Sequence, residues 1–148
     1  ALVLLMNQKA KELQLKSFTF NNPTGLDDGP LPGGRGSALD VAKLFTYVLK
    51  NKPELLAATN KTVITEESTD GFEHTIINTN KIINQIPGIL ASKTGFTDLA
   101  GGNLAGAANI GLRRPLIFDV LGSSKEGRFS DTKKLTSATI NYYAYINK

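Results

Sequence analysis

The chain carries the segment Ser92-Lys93-Thr94-Gly95-Phe96-Thr97-Asp98-Leu99-Ala100-Gly101-Gly102-Asn103-Leu104, directly after an apolar run at residues 89–91. The run and the residues after it predict a strand over 89–95. On such a strand the Lys93 ammonium and the Thr94 hydroxyl can hold a carboxylate, and Gly95 lets a substrate backbone approach closely. The N–H of Phe96 can donate to an oxyanion that develops during a reaction. The segment therefore predicts an anion-binding strand.

A Lys-Thr pair also ends the phosphate-binding loop of nucleotide-binding proteins. That loop needs glycine at the positions that Pro87 and Ser92 occupy here, so the sequence excludes it. The remaining alternative is an ordinary strand end without a binding role.

Helical spacing of apolar residues predicts helices at both ends of the chain. The first helix is expected over residues 2–16, and a second begins at its cap, Ser37, followed by a short helical turn over 54–58. A closing helix is expected over 131–146, with Ser130 as its cap. Its predicted inward face consists of Leu135, Ala138, Thr139, Tyr142 and Ile146.

Short runs of apolar and β-branched residues, and a run of small residues at 103–110, predict strands between these helices. A hairpin is expected from strands over 61–65 and 72–77, and three further strands over 89–95, 103–110 and 115–122. Helices, a hairpin, antiparallel strands and a closing helix in this order predict the α+β class with an antiparallel sheet.

The composition narrows the chemistry further. The chain has 148 residues, and 17 basic against 13 acidic side chains give a formal charge of +4. The lack of cysteine excludes disulfides, thiol catalysis and thiolate metal sites. The single histidine, His74, leaves no His-cluster metal site, and it is interpreted as a hairpin residue rather than a catalytic base.

The positive charge is concentrated in the second half. Residues 1–74 carry 8 basic and 9 acidic side chains, and residues 75–148 carry 9 and 4. Part of the excess lies at Lys93, at the pair Arg113-Arg114 and near Lys125. A small anionic ligand near Lys93 accounts for this asymmetry. No basic stripe is interleaved with aromatic residues, so no nucleic-acid partner is expected.

Extended similarity relates the chain to a known family. The segment 92–104 resembles the third motif of the low-molecular-mass penicillin-binding proteins. These are serine-type D-alanyl-D-alanine carboxypeptidases whose motif set is Ser-x-x-Lys, Ser-x-Asn and Lys-Thr-Gly. Further similar segments lie, in the family's order, at residues 5–10, 13–16, 22–26, 37–42, 78–83, 121–122 and 128–132.

The resemblance implies a β-lactamase/transpeptidase-like α+β fold with a five-stranded antiparallel sheet. Residues 1–148 would form the C-terminal part of a single penicillin-binding domain, with its N-terminal portion missing. Residues 1–60 would belong to the helical subdomain, and residues 61–148 would supply the hairpin, three sheet strands and the closing helix. The strand over 115–122 would pair with the missing N-terminal part or self-associate through its exposed edge.

The resemblance also implies a function. The family trims peptidoglycan stem peptides that end in D-Ala-D-Ala through an acyl-enzyme, binds β-lactams, and uses neither a cofactor nor a metal. Lys93, Thr94 and Gly95 would bind the substrate and its terminal carboxylate, the Phe96 N–H would form half of the oxyanion hole, and Thr97 would border the pocket. Arg128 would add a second cation, with a solvated charge beside the helix as the alternative. The expected location is the bacterial cell envelope, on the outer face of the cytoplasmic membrane or secreted.

The nucleophile of the family is absent from its expected place. The only formal Ser-x-x-Lys match, at 130–133, lies in the predicted closing helix and is interpreted as chance, as is Tyr-x-Asn at 145–147. The first helical pattern begins at Leu2 without a capping residue. The chain is therefore expected to be part of a carboxypeptidase and inactive alone. The alternatives are a trimmed or frayed helix start, a non-catalytic peptidoglycan-peptide binding module, and a β-lactamase relative.

Overall fold

A three-stranded antiparallel sheet lies between two helices in the computed structural model, which describes residues 1–111 and 115–146. The helices are α1 (Leu2–Glu12), α2 (Ala38–Asn51) and α3 (Gly127–Ile146), with short 3-10 turns at Pro53–Leu56 and Ile83–Gln85. The strands are β1 (Thr19–Phe20), β2 (Gly34–Arg35), β3 (Val63–Glu67), β4 (Glu73–Ile77), β5 (Ile89–Thr97), β6 (Gly101–Ala108) and β7 (Leu116–Ser123). The predicted α+β class with an antiparallel sheet is confirmed.

The sheet has the order β5-β6-β7, so each strand pairs with its neighbour in sequence. In this register Lys93 lies opposite Ala105, and Ala105 lies opposite Asp119. Directly paired residues share a face of a sheet. Ala105 packs with Phe45 of α2, so Lys93, Ala105 and Asp119 form one row on the α2 face.

The opposite face of the sheet packs against α3. Leu104, which lies opposite Thr94, is fully buried with Phe118 and Phe129. The central strand β6 consists mostly of glycine and alanine. A Cβ atom at Gly106 would lie 2.5 Å from the Phe118 ring. The small residues of this strand therefore leave the room that the aromatic core needs to pack.

Helix α2 begins where the sequence predicts. The Ser37 hydroxyl accepts a hydrogen bond from the Asp40 N–H at 3.3 Å, as a helix cap does. The buried Asp40 carboxylate accepts from Lys43 Nζ at 2.7 Å and from the Ser17 N–H and hydroxyl, both at 2.7 Å. These hydrogen bonds, that of Lys43 first, lower the pKa of Asp40 to about 2.

Helix α3 differs from its prediction. It begins at Gly127, whose N–H donates to Ser124 Oγ at 2.8 Å, so the expected cap Ser130 lies inside the helix. The expected inward face is also wrong, because Leu135, Tyr142 and Ile146 are exposed. The buried side chains of α3 are instead those of Arg128, Phe129, Thr132 and Thr136. Small threonines fit against the tightly packed sheet, and Thr136 Oγ1 donates to the Thr132 carbonyl oxygen at 2.8 Å.

The N-terminal region contains α1 and a short two-stranded ribbon. Helix α1 ends at Glu12 rather than near residue 16, because Gln14 adopts a left-handed conformation with φ of 56°. The Leu15 N–H then donates to the Ala10 carbonyl oxygen at 2.9 Å and closes the end of the helix. The pairing of β1 with β2 was not predicted.

The predicted hairpin is confirmed as β3 paired with β4. His74 lies opposite Glu66 in this hairpin and is exposed, in agreement with its interpretation as a hairpin residue. The basic pair Arg113-Arg114 lies outside the described residues. No helix of the described ranges has both the length and the apolar content to cross a membrane.

Candidate functional site

The predicted anion-binding motif lies on β5, at the edge of the three-stranded sheet. The Lys93 side chain is exposed on the α2 face, and its Nζ donates to the carbonyl oxygen of Thr94. Thr94 points to the opposite face and is buried, with 9% of its surface exposed. The Lys93 ammonium and the Thr94 hydroxyl therefore lie on the two sides of a short stretch of β5 backbone at the edge of the sheet.

The outer edge of β5 presents backbone groups away from β6. The Ser92 N–H donates to Thr59 Oγ1 at 3.2 Å, outside the sheet. The N–H and C=O groups of successive residues in a strand point to opposite edges. Those of Thr94 and Phe96 therefore point to the same open edge as the Ser92 N–H. The Phe96 N–H thus has the direction required of the predicted oxyanion donor.

Sequence reasoning missed a polar cluster behind the motif. The Thr79 and Thr94 hydroxyl oxygens lie 2.5 Å apart, which is a short hydrogen bond. Asn80, only 2% exposed, donates from Nδ2 to Ser92 Oγ at 3.1 Å and accepts the Ile82 N–H at 3.2 Å. The segment 78–80 therefore fixes the side chains on the α3 face of β5. No local pattern in the sequence indicates these partners, because they are distant in sequence.

Arg128 reaches the same strand from α3. Its Nη1 donates to the Gly95 carbonyl oxygen at 2.6 Å, and its guanidinium lies 4.7 Å from the centre of the Phe129 ring. Arg128 is 7% exposed, so the alternative of a solvated charge is wrong. Lys125 adds a further cation, with its Nζ 5.2 Å from the centre of the Phe96 ring. The positive charges thus converge on β5.

The turn after the motif is held by side chains. Thr97 Oγ1 accepts the Ala100 N–H at 3.1 Å, so this hydroxyl shapes the turn at the end of β5. Asp27, in the loop between β1 and β2, accepts the Leu99 N–H at 3.0 Å. The contact of Asp27 was also missed, since it joins residues far apart in sequence.

Two clefts formed by described residues adjoin the motif. A cleft of about 270 Å³ lies between the hairpin β3–β4 and β5, with Lys93 and Thr94 in its wall. A larger cleft of about 740 Å³ lies between the loop before α2 and the β5–β6 turn, with Asn103 and Leu121 in its wall. The open edge of β5 and these clefts suit an extended chain that ends in an anionic group.

Asp119 is an unusual feature of the α2 face. Its Oδ1 atom is buried and has no hydrogen-bond partner within the described ranges, and burial raises the pKa of its carboxyl group. Ala105 separates it from Lys93 in the register of the sheet.

The other candidate groups lie elsewhere. Ser130, of the formal Ser-x-x-Lys match, lies on α3 and its hydroxyl donates to the Gly127 carbonyl oxygen at 3.0 Å. No group of three or more His, Cys, Asp or Glu side chains in the part of the chain that the structure describes is arranged to hold a metal ion.

Comparison with known proteins gives a consistent result. The family described as D-alanyl-D-alanine carboxypeptidase matches residues 1–125. The D-alanyl-D-alanine carboxypeptidase DacF of Bacillus subtilis is 36% identical over 139 residues, which cover 93% of this chain and 34% of that protein. The D-alanyl-D-alanine carboxypeptidase DacB2 of Mycobacterium tuberculosis is 34% identical over 125 residues, which cover 84% of this chain and 42% of that protein.

Solved structures agree in fold. Penicillin-Binding Protein D2 from Listeria monocytogenes, in its ampicillin-bound form, matches with a TM-score of 0.78 and 31% identity, over 95% of this chain and 55% of that one. A D-alanyl-D-alanine carboxypeptidase from Mycobacterium tuberculosis matches with a TM-score of 0.76 and 29% identity, over 95% and 53%. The chain thus spans about half of these solved structures and between a third and a half of the curated relatives' length.

Proposed function

The chain belongs to the D-alanyl-D-alanine carboxypeptidase family, and on this premise we propose that it forms part of a serine-type peptidase that trims peptidoglycan stem peptides ending in D-Ala-D-Ala. The same site would be acylated by penicillins. A peptidase of this substrate acts in the bacterial cell envelope, which is the location we propose.

The observation that carries the proposal is the open edge of β5, where Lys93 and Thr94 flank backbone groups that face away from the sheet. Lys93 and the Thr94 hydroxyl bind the terminal carboxylate of the peptide. Gly95 leaves room for its backbone, and a Cβ atom there would meet only the Asn103 side chain, at 3.8 Å. Arg128 holds the strand through its bond to Gly95 and adds positive charge behind it.

The reaction proceeds through an acyl-enzyme. A serine outside this chain attacks the carbonyl carbon of the penultimate D-Ala, and the Phe96 N–H donates to the oxyanion that forms. The C–N bond then breaks, and the terminal D-Ala leaves as an amine after taking up a proton. Water hydrolyses the ester and frees the serine. Thr97 supports this geometry by shaping the turn that ends β5.

We also propose that a further strand pairs with the outer edge of β7. Within the described residues β7 pairs with β6 alone, so its outer edge offers free backbone groups. We expect a strand from elsewhere in the complete gene product, or a second copy of the chain, to pair there. Size-exclusion chromatography of the 148-residue chain decides between them, because a monomer excludes self-association through β7.

Labelled penicillin tests the proposed function. The complete gene product should gain one penicillin mass in an intact-mass spectrum and release D-Ala from an acyl-D-Ala-D-Ala peptide. The 148-residue chain alone should gain no mass, because the nucleophile lies outside it. Acylation of the isolated chain would disprove that assignment, and an inert complete product would disprove the function.

A further inference from the structure

The cleft between the hairpin and β5 is larger than the terminal residue of the proposed substrate requires. Its volume is about 270 Å³, and its apolar wall includes Ile64 and Ile76, which lie opposite each other in the hairpin. Ile76 is 51% exposed, so an apolar surface is held open beside Lys93 and Thr94. A terminal D-Ala offers only a methyl group to fill it.

The direction of the bound peptide decides which part of it reaches this cleft. Thr94 would hold the carboxylate and the Phe96 N–H the scissile carbonyl, and two residues of strand separate them by about 7 Å. The peptide therefore continues from Phe96 toward Thr97. The cleft lies on the opposite side, toward Ser92. Only the side chain of the terminal residue, which is the leaving group, lies close enough to enter it.

The charges in the cleft indicate what that side chain should be. Lys61 and Lys93 line it, and no Asp or Glu from the described ranges does so. The acidic residues of the hairpin lie beyond Ile64 and Ile76, toward its turn. An ammonium group in the cleft would therefore be repelled, whereas an aliphatic chain without positive charge would be favoured.

We propose that this cleft is a subsite for the leaving residue, which accepts a D-amino acid with a long, uncharged or anionic aliphatic side chain. The proposal rests on the proposed function and extends it from release of D-Ala to release of larger D-residues. The chemistry is unchanged: the same C–N bond breaks, the serine ester forms, and the larger D-residue leaves as the amine. The cleft contributes binding of the side chain in the transition state.

Peptides of the form acyl-D-Ala-D-X, which differ only in X, test this in the complete gene product. We expect kcat/KM for D-norleucine to equal or exceed that for D-alanine. D-lysine, which differs from D-norleucine mainly by its ammonium group, should fall about tenfold below it. The charge-reversing variant Lys61→Glu should reduce that difference.

A matched pair of hairpin variants locates the effect. Ile76→Ser should lower the ratio of kcat/KM for D-norleucine to that for D-alanine by about fivefold or more. Phe72→Ser, at a residue 66% exposed on the same hairpin but outside the cleft, should leave the ratio unchanged.

The possible outcomes separate this proposal from the function on which it rests. Cleavage of the D-alanine peptide with slower cleavage of the D-norleucine peptide would overturn the subsite and leave the carboxypeptidase in place. An unchanged ratio in Ile76→Ser would do the same. If the gene product neither cleaves any peptide nor reacts with penicillin, both proposals fall.

Discussion

Arg128 Nη1 lies 2.6 Å from the carbonyl oxygen of Gly95, so helix α3 is attached to the strand that carries the candidate site. The Arg128 side chain is buried, and its Nε has no hydrogen-bond partner in the described part of the chain. The guanidinium is therefore held by the bond from Nη1 to Gly95 and by its contact with the Phe129 ring.

Replacement of this arginine tests the attachment. Arg128→Met should lower the free energy of unfolding by about 1–3 kcal/mol, because a charged hydrogen bond to Gly95 is lost. Chemical denaturation measures this change. In the complete gene product the same variant should slow acylation by penicillin. An unfolding midpoint equal to that of the unmodified protein would contradict the role given to this bond.

Substitution of Thr79 tests whether its hydroxyl positions the hydroxyl of Thr94. Thr79→Val removes the hydroxyl that orients Thr94 while it keeps the shape of the side chain. The KM for an acyl-D-Ala-D-Ala peptide should rise by about two- to tenfold, the value of one hydrogen bond, with a smaller change in kcat. Thr79→Ser, which retains the hydroxyl, should restore the original KM. Equal KM values for the serine and valine variants would exclude a positioning role.

Substitution of Lys93 directly tests the proposed binding site for the substrate carboxylate. Lys93→Ala in the complete gene product should slow acylation by about 10–100-fold, because a charged hydrogen bond to the substrate is lost. Its thermal unfolding should change little, since the side chain is exposed. Lys133→Ala, at an exposed position on α3, is the matched control and should acylate normally. Normal acylation by Lys93→Ala would remove this lysine from the site.

The buried carboxyl group of Asp119 leads us to expect that stability depends on pH. Burial raises the pKa of its carboxyl group, so its charged form is disfavoured in the folded state. The contribution of Asp119 to stability should then be most favourable below the ordinary carboxyl pKa and become less favourable as the pH rises through the raised value. Asp119→Asn should raise the melting temperature at pH 7 and have less effect near pH 3. Calorimetry at both pH values measures this, and an equal shift at both would indicate a cause other than ionisation.

The sequence predicted the elements that depend on local signals. Ser37 correctly marks the start of α2, and the Lys93 motif correctly marks a strand. The position of that strand at the edge of the sheet was not predicted. The predicted start of helix α3 lay too far along the chain, because Ser124 rather than Ser130 accepts the hydrogen bond from its first N–H group. Its buried face was wrong because apolar periodicity favours Leu135, whereas the small residues of β6 select threonine.

The site was predicted only in part for a related reason. Lys93, Thr94 and Phe96 form a contiguous motif, so their placement follows from one strand. Thr79 and Asp27 contact that strand or its turn from distant parts of the chain. Their roles depend on tertiary packing, which leaves no periodic pattern in a single sequence.

The sequential pairing of β5, β6 and β7 has a consequence for how the molecule folds. Every ladder of this sheet joins neighbours in the chain, with only residues 98–100 between the first two strands. Contacts of short sequence separation form quickly, because little chain entropy is lost when their loops close. During synthesis, the strand that bears Lys93 can find its partner as soon as residue 108 has left the ribosome. The binding surface can therefore take shape early, before α3 covers its far side.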